Sequence, residues 1–321
     1  MSTDADFDRL QGLRRLDPAL RSAAMSLSAS ELLPDTVVED RDRVNARSAR
    51  LATGIDASGV SVEPRRIVGP RGDALHVRIY RSLASGPLPI VIYAHGGAFV
   101  TGDLETDHPS CIELARAARC AVVSVDYRLS PENHCPAALD DIEAAFYDVI
   151  QHADDLGFDR ERVAVMGRDA GAALVSGLVH RVFDADGPRI ALQVLHQPML
   201  DCDMTVSRRE FHRTPGLHGL AVSRGWAHYL GKTAVSGRSV PAYRANLEGL
   251  PHTFISCAEI DPCRDEAIEY ASRLLAAHVH TELHVVSATF HGFDSVVPDW
   301  EISKEVRRLH ARFLNRSFVA I

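Results

Sequence analysis

The chain has 321 residues, 46% apolar and 24% charged, with a formal net charge of −8. That is enough apolar material for a sizeable core, and the negative balance argues against nucleic acid and anionic membrane surfaces as partners. No apolar run reaches bilayer length, residues 1–20 lack the continuous apolar stretch of a secretory signal, and the six cysteines contain no C-x-x-C pair. The expectation is a cytoplasmic chain with reduced cysteines.

Residues 1 to about 50 carry Leu10, Leu13, Leu16 and Leu20 at helical spacing, which predicts an amphipathic helical segment. From residue 76 the pattern changes. The apolar runs "HVRIY" (76–80), "IVIYA" (90–94), "AVVSVD" (121–126), "VAVMG" (163–167), "IALQVLH" (190–196), "TFISCA" (253–258) and "ELHVVS" (282–287) alternate with helical stretches. Those stretches lie near 109–119, 137–153, 170–184, 264–278 and 300–316. Strands apolar on both faces, alternating with helices, predict an α/β fold with a mostly parallel sheet covered on both sides. Residues 202–246, rich in Arg, His, Gly and aromatic side chains, break the alternation. The expected organisation is a helical cap segment over 1–50 and one domain over 51–321, with 202–246 as a lid-like insertion.

Four motifs carry chemistry. After the run at 90–94 comes His95-Gly96-Gly97-Ala98. Consecutive glycines there let backbone N–H groups turn inward as an oxyanion hole. The run at 163–167 leads into Gly167-Arg168-Asp169-Ala170-Gly171, a glycine-flanked strand-to-helix turn of the kind that presents a nucleophile. Asp169 at its apex is also the residue type that caps a helix. The run at 253–258 ends near Asp261-Pro262, where Asp261 is placed to orient a histidine; Asp265 is the alternative acid. His291, in "ATFHGFDSV" (288–296), follows the last run and completes the order nucleophile, acid, histidine.

Together, "HGGAF", "VDYRLSPENHCPAALDD" (125–141), "GRDAG", "AEIDPCRDEAIEYASRL" and "HGF" resemble the hormone-sensitive-lipase family of α/β-hydrolases over roughly residues 60–316. The resemblance implies an eight-stranded sheet with a helical cap. It implies an oxyanion hole from Gly96, Gly97 and Ala170, and an acid–histidine pair of Asp261 and His291. It implies a buried Asp126–Arg128 pair bracing the oxyanion loop, and a homodimer. The family's turn is usually G-D-S-A-G; here Arg168 replaces the acid and Asp169 the serine.

An aspartate attacking an ester carbonyl would form a high-energy anhydride, so conventional ester hydrolysis through Asp169 is not expected. At a saturated carbon a carboxylate is a competent nucleophile, giving an alkyl ester that His291-activated water hydrolyses, as in epoxide hydrolases and haloalkane dehalogenases. Trp226 and Tyr229 in the lid-like segment are candidate acids or substrate contacts, with aromatic packing as their other role. Three alternatives stay open: Asp169 as a general base, a binding-only homologue, and a serine-to-aspartate variant of a carboxylesterase. The expected partner is a neutral, partly apolar small molecule. No cofactor and no metal are expected.

Overall fold

The structure, a computed structural model, describes residues 13–27 and 30–319. Eight strands form one sheet: β1 (Val60–Val68), β2 (Ala74–Ser82), β3 (Leu88–Ala94), β4 (Ala121–Val125), β5 (Phe158–Arg168), β6 (Leu192–His196), β7 (His252–Ile260) and β8 (Thr281–Phe290). Their order is β1-β2-β4-β3-β5-β6-β7-β8. β1–β2 and β2–β4 are antiparallel, and every other pairing is parallel. Residues β3, β4 and β6 are buried at every position. Alternation along β3 explains why: Ile90 and Ile92 join one core, Val91 and Tyr93 the other. Successive side chains point to opposite faces, and both faces are covered.

The helices are α1 (Pro18–Ser26), α2 (Val37–Ala52), α3 (His108–Ala118), α4 (Ala137–Gln151), α5 (Ala153–Leu156), α6 (Ala170–Asp184), α7 (Val206–Glu210), α8 (Gly219–Leu230), α9 (Arg264–Ala276), α10 (Phe293–Val296) and α11 (Glu301–Val319). α7 and α8 occupy much of the 202–246 stretch. Among the described residues no helix is long and apolar enough to cross a membrane.

Two differences from the sequence expectation have local causes. β1 is absent from the sequence expectation, where "VSVEPRRIV" is interrupted by Pro64 and two arginines; only Val60 and Ile67 of it are buried. It is an edge strand, where a missing N–H is tolerated. The N-terminal leucines do not share one helix. Asp17 accepts from the Ala19 N–H at 2.8 Å and Pro18 opens α1, so a new helix starts there. Leu13, Leu16 and Leu20 are still buried, against Ile260, Phe290 and Phe293. Leu10 lies outside the described residues. α2 is tied down by Arg41, which donates to the carbonyls of Val100 (2.6 Å) and Ser130 (2.8 Å).

The parallel strands β3, β5, β6, β7 and β8 bring their C-terminal ends to one edge. The four motifs all follow such ends, the position where ligands bind in open α/β sheets.

Candidate active site

The turn between β5 and α6 is too crowded for side chains at its flanks. A Cβ at Gly167 would lie 2.3 Å from the Gly171 carbonyl oxygen, and one at Gly171 would lie 2.2 Å from that of Ala94. Asp169 between them adopts φ 52°, ψ −121°. For a residue with a Cβ, such a conformation costs on the order of 1–3 kcal/mol. Its side chain makes no capping hydrogen bond to α6. Instead Oδ2 accepts from the N–H groups of Gly97 (2.8 Å) and Ala98 (2.7 Å). Oδ1 is buried without a hydrogen-bond partner and lies 3.6 Å from His291 Nε2.

The expected donor set differs by one residue. Gly96 directs its N–H to Asp107 Oδ2 at 3.3 Å, and Ala98 takes its place. The chain rotates at Gly97 (φ 132°), Ala98 (φ 49°) and Phe99 (φ 68°), so the inward-facing amides come one position later. Gly97 must be glycine, since a Cβ would lie 2.1 Å from the Thr101 carbonyl oxygen. Ala170 directly follows the apex as the first residue of α6, where N–H groups lack intrahelical partners.

His291 and Asp261 come from the ends of β8 and β7. His291 Nδ1 lies 2.9 Å from Asp261 Oδ2, and Asp261 Oδ1 accepts from the Cys263 N–H at 2.7 Å. Burial alone would push the His291 imidazolium down. Asp261, and then Asp169, outweigh it and hold the pKa above the ordinary histidine value. Asp265 turns to α7, accepting from the Ser207 N–H at 2.7 Å. Asp261, Cys263 and His291 offer ligand atoms within 4.8 Å of one another. Asp261 is committed to His291, and burial pushes the Cys263 thiol well up, so this group suits a hydrogen-bonded pair better than a metal.

A family model described as the alpha/beta hydrolase fold matches residues 91–295. The chain is 34% identical to the carboxylic ester hydrolase LipN of Mycobacterium tuberculosis, over 87% of this chain and 77% of that one. It is 37% identical to esterase LipI of the same organism, over 64% of this chain and 65% of that one, so this match spans just under two thirds of LipI. The crystal structure of esterase LipW from Mycobacterium marinum superposes with a TM-score of 0.92 at 45% identity, covering 95% of this chain and 97% of that one.

The chain belongs to the hormone-sensitive-lipase family of α/β-hydrolases.

As a hydrolase of this family's esterase type, it departs from the usual motif at two adjacent positions, and both departures are accommodated. Arg168 is buried and donates to both oxygens of Asp294, at 3.1 and 2.5 Å, with Asp107 3.7 Å away. His196 Nε2 lies 3.2 Å from Asp294. Burial opposes the Asp294 charge, but Arg168 and then His196 outweigh it and keep the carboxyl well below the usual carboxylate range. Gln197 links this cluster to the histidine loop, donating to Asp294 at 3.3 Å and accepting from the Gly292 N–H at 2.5 Å. Sequence reasoning missed Asp107, Asp294 and Gln197. The unpaired charge at Arg168 was the available signal, for a buried cation demands an acid.

Two further expectations are corrected. Arg128 pairs with Asp141, not Asp126, with its Nε and one terminal nitrogen each 2.8 Å from a carboxylate oxygen. The oxyanion loop is braced by Tyr127, which stacks on His95 and donates to its carbonyl at 2.8 Å. Trp226 and Tyr229 do not line the cavity at Asp169. They pack on Phe99, with ring centroids at 4.8 and 4.2 Å, and fix α8 against the oxyanion loop. Over Asp169 and His291 opens a cavity of about 500 Å³, walled by Leu32, by Leu51 of α2 and by Leu217 and Val296.

Proposed function

We propose that the chain hydrolyses a small molecule by attack of Asp169 on a saturated carbon. The observation that carries this reading is the disposition of its carboxylate: Oδ2 rests on two amides while Oδ1 stays unpartnered, 3.6 Å from His291. Oδ1 forms the new C–O bond, and the leaving group departs with its electron pair, giving an alkyl ester of Asp169. His291 Nε2 then takes a proton from water, which adds to Asp169 Cγ. Negative charge develops on Oδ2, where the Gly97 and Ala98 amides already point, so little reorganisation is needed. Collapse expels the alcohol, which takes the proton from His291, and Asp169, now carrying one oxygen from water, loses the remaining water proton to solvent and returns as the carboxylate. Asp261 keeps the imidazole oriented throughout. Alkylation also removes one of the two anions that raise the His291 pKa, which favours its neutral, basic form in the second step.

Single turnover in ¹⁸O-water tests this. One heavy oxygen is expected in the peptide containing Asp169; product formed without it would sink the mechanism and leave general-base catalysis. His291→Gln is expected to accumulate the alkyl ester, seen as a mass increase on the intact chain.

Carboxylic-ester hydrolysis is the second reading, favoured by the names of the relatives. The Asp169 carboxylate lies where an ester's developing oxyanion would bind, which opposes it. Efficient turnover of p-nitrophenyl acetate by the unaltered chain would establish it over the first.

A further inference from the structure

Arg43, Arg47 and Arg50 of α2 all line the cavity that holds Asp169 and His291. Their spacing of four and three residues sets them on one helix face. Arg43 is occupied by Asp40 and by the Ser30 hydroxyl at 3.0 Å. Arg47 and Arg50 are exposed, and neither side chain pairs with another described residue. Ser48 lines the same wall.

The deep end is balanced by contrast. Arg168 there is matched by Asp294 and Asp107, and Asp169 faces the amides and His291. Among the described residues the mouth therefore carries positive charge without an ion-pair partner, although the chain as a whole is at −8. Low-dielectric cavity walls focus such a local field, and guanidinium forks match carboxylate geometry.

We propose that Arg47 and Arg50 form an anion subsite at the cavity mouth that holds a carboxylate on the substrate, remote from the carbon attacked by Asp169. This rests on the reading of the cavity as the substrate site, and replaces the neutral substrate expected from net charge. The role is positioning and selection; neither arginine touches the reacting atoms.

Binding calorimetry at low salt with 4-phenylbutanoate and 4-phenylbutanamide, matched in shape, tests it without turnover. The carboxylate should bind about tenfold more tightly, the worth of a charge-assisted pair. In the Arg47→Gln, Arg50→Gln double variant the preference should vanish while amide affinity is retained. Both side chains are exposed, so the fold should be unaffected, which an unchanged Tm verifies. Arg47→Glu should shift the preference toward 4-phenylbutylammonium. A carboxylate that does not bind, binds no better than the amide, or keeps its advantage in the double variant overturns the subsite. The heavy-oxygen experiment reports on Asp169 alone. A missing label with an intact carboxylate preference refutes the chemistry and spares the subsite, and a label with no preference does the reverse.

Discussion

At the scale of single residues, the proposed chemistry turns on one carboxylate. An aspartate at this apex has three possible orientations: over the helix as a cap, toward an arginine as a salt link, or into the amides of the oxyanion loop. It takes the third, because Arg168 is already matched by Asp294 and the Gly97 and Ala98 N–H groups lie within hydrogen-bond reach. Replacing Asp169 with serine frees those amides while leaving the His291–Asp261 pair in place. Asp169→Ser should therefore gain p-nitrophenyl acetate hydrolysis, by at least about tenfold over the unaltered chain, since removing one such donor in comparable sites costs more than that. No gain would mean that histidine and hole are not assembled around the apex. The raised pKa of His291 has Asp261 and Asp169 as its acidic supports. Removing either charge lowers it. In Asp169→Asn the His291 ring should titrate at lower pH by NMR than in the unaltered chain; an unchanged midpoint would show that Oδ1 does not face the ring.

At the scale of elements, the site is a junction of strand ends that need internal ties. The buried Arg168–Asp294 pair connects the end of β5 to α10, next to the histidine loop. Removing the guanidinium leaves Asp294 and Asp107 buried without their counter-ion. Arg168→Met should thus cost about 3–5 kcal/mol of stability, read as a fall in the denaturant midpoint. Adding Asp294→Leu should restore part of the loss. A single variant as stable as the parent would assign the pair no structural role. Two other ties act in the same way. Tyr127 stacks under the oxyanion loop through His95, and Phe99, on the loop itself, is enclosed by Trp226 and Tyr229 of α8. Aromatic packing is what makes the inward-facing amides of Gly97 and Ala98 a fixed feature.

At the scale of the whole molecule, burial pushes the pKa of several histidines down, among them His180, His196 and His310. His180 is the clearest: burial pushes its pKa down to about 3, and its Nε2 lies 2.9 Å from the Tyr270 hydroxyl. In the unfolded chain this ring titrates at about 6.5. Between those values the unfolded state binds the extra proton, so the stability this group supports above pH ~6.5 is lost as pH falls toward 3. The expected outcome is a smaller loss of stability between pH 7 and 5 in His180→Phe than in the parent, measured by denaturant unfolding. Parallel curves would mean that His180 is protonated in the fold.

How much of this was legible beforehand follows from the range of each interaction. The alternation of doubly apolar strands with helices set the α/β class, because only a sheet covered on both faces buries such runs. The order of Gly96-Gly97, Asp169, Asp261 and His291 along the chain put all of them after strand ends. Those are local properties, written in neighbouring residues. Which amides face the carboxylate was not legible, since it depends on a backbone rotation at Gly97 that shifts the donors by one residue. The partner of Arg168 lies 126 residues away and is chosen by the meeting of β5 with α10. The arginine face of α2 reads in sequence as an ordinary solvated helix, and lines the cavity only because Arg41 fixes that helix over the strand ends. Sequence alone determined the scaffold and the residue types at its functional edge. Tertiary structure decided their orientations and pairings, because those arise from contacts between segments that the chain brings together only on folding.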